Sequence, residues 1–84
     1  MGVNKNFVLK EIEDHYYLLD TSDAEAILLH INETGAFLWE KLLAGADKEG
    51  LVKSLLEEYS VEEAVVRPDV EEFLARLSRI GAIK

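Results

Sequence analysis

Hydrophobic and polar residues follow two different periods along this chain, and the change of period divides it into two halves. In the first half, three short runs rich in aliphatic and aromatic residues predict β-strands, at residues 6–12, 15–19 and 26–31. Polar residues at 13–14 and 20–25 separate these runs and are typical of turns. The run at 26–31 alternates most clearly between two faces. Three strands joined by short turns predict an antiparallel meander.

The second half follows the period of an α-helix. Residues 31–43 predict a first helix that begins after Asn32, a good N-cap, and that carries apolar residues on several sides. We therefore expect it to be the hub of the core. Asp47 caps a second helix. Pro68 favours a third helix that begins there, after a short helical turn over 61–66, and the alternative is one long helix kinked at Pro68.

Strands followed by helices, with no linker between them, predict a single α+β domain over residues 1–84. Hydrophobic residues make up 49% of the chain and charged residues 31%, which favours a folded domain with a small core. The chain has no cysteine, which excludes disulfides and thiolate metal sites. It also lacks a long apolar run and an N-terminal signal pattern, so we expect a cytoplasmic protein that does not enter membranes.

The chain carries 17 acidic against 9 basic residues, a net charge of −8. Affinity for nucleic acids depends mainly on lysine and arginine at the phosphates. The charge therefore argues against a nucleic-acid partner.

Candidate catalytic residues are few. His15 and His30 are the only histidines, and neither has a second ligand at a metal-binding spacing in the sequence. Gly35 lacks the other glycines and the lysine of a phosphate-binding loop, so close approach of two elements explains it better. Phe37 and Trp39 have the spacing of core residues rather than of a ligand platform. We expect no catalytic residue, no metal and no cofactor.

The strand at residues 26–31 is better explained by binding. It is apolar, has no proline and carries no charged side chain. At the edge of a sheet, such a strand offers unpaired N–H and C=O groups to an incoming strand. The alternative is that both of its sides are buried within the domain.

The block from His30 to Trp39, with Asn32, Thr34 and Gly35 inside it, and the leucine spacings that follow resemble the PqqD family. These are small proteins of pyrroloquinoline quinone biosynthesis, together with related recognition elements for ribosomally made, modified peptides. The resemblance implies a winged-helix-like fold of three strands and three helices without catalytic activity. It also implies that the leader of a precursor peptide adds as a strand beside the third strand and is presented to a radical S-adenosylmethionine enzyme.

When the binding residues of the family are transferred to the matching positions of this sequence, the resemblance implies two sets of peptide-binding residues. The strand would contribute Ala26, Ile27, Leu28, Leu29, His30 and Ile31, and the third helix would contribute Val70, Phe73, Leu74 and Leu77. Pro68 departs from the family pattern and would alter the angle at which that helix begins.

Two other functions share this architecture. A nucleic-acid-binding winged helix is disfavoured by the charge. In a structural module, the same strand edge would pair with a copy of itself and give a homodimer.

Overall fold

The computed structural model describes residues 2–22 and 28–83. Its elements are the strands β1 (Phe7–Ile12), β2 (His15–Asp20) and β3 (Leu28–Ile31), followed by the helices α1 (Glu33–Leu43), α2 (Lys48–Glu58) and α3 (Glu63–Arg79). The predicted α+β order is confirmed. Residues 26 and 27 of the predicted third strand lie outside the described residues. No described helix is long and apolar enough to cross a membrane.

The three strands form one antiparallel sheet in the order β1-β2-β3. Only Glu13 and Asp14 separate the paired residues Ile12 and His15, and both have positive φ, at 50° and 68°. Two positive φ values in a two-residue loop define a type I′ turn, whose twist matches that of the strands it joins. The predicted turn at 13–14 is therefore confirmed.

This turn determines which backbone groups of β3 point away from the sheet. A type I′ loop is closed by a hydrogen-bonded pair, here Ile12 with His15, and such pairs alternate along antiparallel strands. On β2, the groups of Tyr16 and Leu18 then face β3, where their partners are Ile31 and Leu29. Leu28 precedes these partners and His30 lies between them. The N–H and C=O groups of Leu28 and His30 consequently point to the other edge of β3.

Helix α1 is the hub of the core, as predicted. The side chain of Asn32 accepts a hydrogen bond from the Gly35 N–H at 2.7 Å, which satisfies one of the free donors of the first turn. The helix packs against β2, β3 and α2. Trp39 is completely buried and Leu42 nearly so, and both belong to a core that the sheet and all three helices share.

Helix α3 does not begin at Pro68, so that prediction was wrong. It starts at Glu63 and continues through Pro68 as one helix of 17 residues. Proline removes the hydrogen bond that its N–H would donate to the carbonyl of residue 64. Both Ala64 and Pro68 are exposed, so water can solvate that carbonyl and the helix tolerates the proline.

The two ends of the described chain meet. Val3 forms an isolated antiparallel bridge with Ile83, and the backbone N–H of Asn4 donates to the Ala82 carbonyl at 2.8 Å. The side-chain amide of Asn4 donates to the Gly81 carbonyl at 3.1 Å. These bonds hold the C-terminal end of α3 against the segment that leads into β1.

Candidate functional site

The first part of the candidate site is the free edge of β3. Within residues 2–22 and 28–83, β2 is the only strand that pairs with β3. The backbone groups of Leu28 and His30 face that unpaired side. The side chains of Leu29 and Ile31 turn toward the core, and Ile31 is buried. An additional strand can therefore pair with β3 through its main chain without disturbing the core.

The second part is a cleft of about 410 Å³ that begins where β3 ends. Its walls come from the first turns of α1, the end of α2, the segment between α2 and α3, and one face of α3. Apolar side chains line most of it, with acidic and basic groups on the α3 side. The lining residues are Asn32, Thr34, Gly35, Leu38, Leu55, Tyr59, Val61, Val65, Val66, Asp69, Glu72, Phe73 and Arg76.

Two exposed valines mark the open side of this cleft. Val61 is 43% exposed and Val65 is 56% exposed, and both line the cleft. At the back, Tyr59 packs edge-on against Phe37 with ring centroids 5.8 Å apart. Trp39, by contrast, is completely buried and offers no surface to a ligand. The cleft is therefore an apolar site open to solvent and continuous with the end of β3.

The predicted site residues of α3 occupy different positions. Phe73 lines the cleft, whereas Val70 and Leu77 are completely buried in the core, and Leu74 is partly buried against it. The side of α3 that reaches the cleft also carries Val65, Val66, Asp69, Glu72 and Arg76. The sequence prediction did not include these five, because Val65 and Val66 precede Pro68, where the helix was expected to begin, and the other three are charged residues outside the apolar stripe.

At Gly35, α1 closely approaches the Phe73 side chain of α3. A Cβ atom placed on this residue would lie 3.3 Å from the Phe73 ring and 3.2 Å from the Ile31 Cβ. The expectation that Gly35 allows the start of the helix to approach another element is therefore confirmed. Gly35 therefore has both Ile31, the last residue of β3, and the Phe73 ring as neighbours, and Gly35 and Phe73 both line the cleft.

Ion pairs connect α3 to α2. Arg67 donates to Glu49 at 2.6 Å and to Glu63 at 2.8 Å, and Lys48 donates to Glu71 at 2.6 Å. The hydrogen bond from Arg67 lowers the pKa of Glu49 below its ordinary value, and the two carboxylates together raise the pKa of Arg67. These exposed ion pairs orient α3. They do not include Asp69, Glu72 and Arg76, the charged residues that line the cleft.

The sheet register brings together two residues that are far apart in the sequence. Nδ1 of His15 and Nε2 of His30 lie 3.3 Å apart, diagonally across β2 and β3. Tyr17, the direct partner of His30, packs beside it with ring centroids 5.2 Å apart. All three side chains lie on the sheet face opposite the core. The alternation of the strands places these residues on faces of the sheet, but only the register between β2 and β3 shows that His15 and His30 are neighbours.

Two solved structures share this architecture. TbiB1 in complex with the TbiA(beta) leader peptide is similar over 100% of this chain and 95% of its own, with a TM-score of 0.84 and 25% identity. A lasso peptide synthetase B1 complexed with the leader peptide has a TM-score of 0.77 and 20% identity, over 96% of this chain and 92% of its own. No curated protein sequence matches this chain significantly.

The sequence also matches a family profile along most of its length. The matching family is coenzyme PQQ synthesis protein D (PqqD), and the match extends over residues 8–83. It includes all of β1 except Phe7, the whole of the other two strands and of the three helices, and every residue that lines the cleft. This chain therefore belongs to the PqqD family.

Proposed function

We propose that this protein captures the leader segment of a ribosomally made precursor peptide and presents it to the enzyme that modifies the peptide. The observation that carries the proposal is the edge of β3 that no described strand pairs with, where the outward backbone groups of Leu28 and His30 lie near an apolar cleft. Family membership and two similar proteins whose structures contain a leader peptide support it.

The two parts of the surface would make different contributions to binding. Strand addition takes much of its affinity from main-chain hydrogen bonds, and pockets for alternate side chains supply the specificity. On β3, the main-chain groups of Leu28 and His30 would pair with the incoming strand. Where that strand passes the end of β3, its next side chain would enter the cleft between Phe73 and Val65.

The protein would act by binding alone. A peptide held as an added strand is extended, and its remaining residues stay accessible to a second protein. The PqqD family implies that this second protein is a radical S-adenosylmethionine enzyme, which would supply the chemistry. The acidic surface, with a net charge of −8, is better suited to a peptide with basic residues outside the paired segment than to nucleic acid.

The direct test is titration with a leader peptide encoded beside this protein's gene, followed by amide chemical shifts. We expect the largest changes at β3 and along the cleft face of α3, from residue 65 to residue 76. Changes restricted to the exposed side of α2, or the absence of binding, would contradict the proposal.

Removing one outward-facing donor tests the strand edge. Leu28→Pro deletes an N–H that points to the peptide side, and we expect binding to fall below detection while the fold is retained. Glu11→Pro is the matched control, because Glu11 holds the equivalent outward position on β1, at the opposite edge of the sheet. If both proline variants bind the peptide equally well, the peptide does not add to β3.

A second pair of variants tests the cleft. Val65→Asp places a charge where we expect an apolar side chain, and it should weaken binding by about 1–2 kcal/mol, as loss of one interface contact typically does. Leu43→Asp is the control, since Leu43 is also helical and also 56% exposed but lies outside the cleft. Equal affinities for the two variants, measured by calorimetry, would exclude the cleft from the site.

A further inference from the structure

The imidazoles of His15 on β2 and His30 on β3 form a second feature of the sheet, which the proposed peptide capture does not use. Their facing nitrogens are 3.3 Å apart and their ring centroids 5.3 Å apart, with the ring planes tilted by 55°. Both side chains are exposed, on the sheet face opposite the core. The pair is therefore accessible from solvent whether or not a strand has added to the edge of β3.

The distance between the two nitrogens matches a particular coordination geometry. In a tetrahedral site with Zn–N bonds of about 2.0–2.1 Å, two ligand nitrogens lie about 3.3–3.4 Å apart. Ligands at right angles, as in a square-planar or octahedral site with bonds of that length, lie about 2.8–3.0 Å apart. Without a metal, the same distance allows an N–H···N hydrogen bond between the rings, whose direction depends on which ring carries the hydrogen.

The charge around the histidines also favours a cation. Glu11, Asp14 and Glu33 line the same open cleft as the two imidazoles, and no lysine or arginine of the described residues lines it. Glu11 in particular raises the pKa of Tyr16, which shows that the negative field is felt at this end of the sheet. A divalent cation at the imidazoles would therefore be attracted by carboxylates that do not themselves need to bind it.

The geometry points to a surface site for a divalent transition metal, Zn²⁺ above all, that is chelated by Nδ1 of His15 and Nε2 of His30. Both nitrogens must present a lone pair, so the hydrogen that one ring places between them in the free protein moves to the outer nitrogen of that ring. Among residues 2–22 and 28–83 no group of three or more histidine or acidic side chains is arranged to hold a metal ion. We assign the other coordination positions to water.

Zinc titration of the full chain, without peptide, tests this site. We expect saturable 1:1 binding in competition with a chromophoric chelator, and a higher melting temperature with zinc, because the metal joins β2 to β3. His15→Gln and His30→Gln should each weaken zinc binding at least tenfold and remove the thermal shift. Since both side chains are exposed, these variants should keep the fold, which circular dichroism verifies.

A control variant distinguishes zinc binding at the imidazoles from general attraction of zinc to the acidic side chains of the protein. Glu57→Gln combined with Glu58→Gln removes two exposed acids of α2 and should leave zinc binding unchanged. Excess Mg²⁺ should not displace the zinc, because magnesium prefers oxygen ligands. Zinc binding that survives both histidine substitutions, or that magnesium abolishes, would overturn the site, and so would the absence of saturable binding.

Discussion

At the scale of single residues, Gly35 has the most constrained position. It lies between Ile31, Asn32 and Phe73, and each of these has an atom 3.2–3.3 Å from the place that a Cβ would occupy. An alanine there would gain about 1 kcal/mol in helix propensity. Overpacking usually costs about 1–3 kcal/mol, and here the Ile31 Cβ cannot move without shifting β3.

We therefore expect Gly35→Ala to lower the free energy of unfolding by about 1 kcal/mol, measured by urea denaturation. Gly50→Ala is a milder control, because Gly50 is only half-buried and has two such neighbours, the side chains of Ala46 and Asp47. A Gly35→Ala protein that is more stable than the wild type would show that α1 and α3 separate easily.

At the scale of secondary-structure elements, α3 contains an internal proline. Because Pro68 lies beyond the first turn, alanine should restore a hydrogen bond to the carbonyl of residue 64. Alanine is about 3 kcal/mol more favourable than proline inside a helix, but it also raises the conformational entropy of the unfolded chain. We therefore expect Pro68→Ala to stabilise the protein by about 1–2 kcal/mol. Ser78→Ala, exposed on the same helix, should change the stability much less. A destabilised Pro68→Ala protein would argue that α3 begins at the proline after all.

The ion pairs between α2 and α3 predict a dependence on pH. The pKa of Glu49 is lower in the folded protein than its ordinary value of 4.5, chiefly because Arg67 donates a hydrogen bond to it. The stabilisation is therefore fully present above pH 4.5 and is lost as the pH falls through the folded-state pKa.

Arg67→Gln should accordingly lower the stability at pH 7, and the difference from the wild type should shrink toward zero in acid. Urea unfolding at pH 7 and at about pH 3 measures both differences. The effect at pH 7 should be small and should decrease with salt, since the groups are exposed. A difference that is as large in acid as at pH 7 would assign the role of Arg67 to packing of its aliphatic stem.

At the scale of the whole molecule, α1 connects the sheet to the other helices. Leu42 is 3% exposed and belongs to the common core. Leu42→Ala should cost about 2–5 kcal/mol, which is a large part of the stability of a domain of this size. Leu43→Ala, one residue away but mostly exposed, should cost little. A melting temperature that Leu42→Ala leaves unchanged would contradict the role of α1 as hub.

The elements themselves were determined by local features of the sequence. The strand runs, the turn at 13–14, and the Asn32 and Asp47 caps depend on neighbouring residues, so the sequence was sufficient to predict three strands and three helices. Pro68 was the exception. Whether a proline begins a helix or is tolerated inside it depends on the packing of the remaining turns, which no local pattern encodes.

The site, in contrast, was decided by tertiary structure. The sequence marked the third strand as a candidate edge, but the turn geometry and register assign the outward groups to Leu28 and His30. Likewise, the period of α3 shows which residues share a face, whereas packing decides that Val70 and Leu77 are buried and that Val65 borders the cleft. The pairing of His15 with His30 has the same origin, because register relates residues that are distant in sequence and periodicity describes only one element at a time.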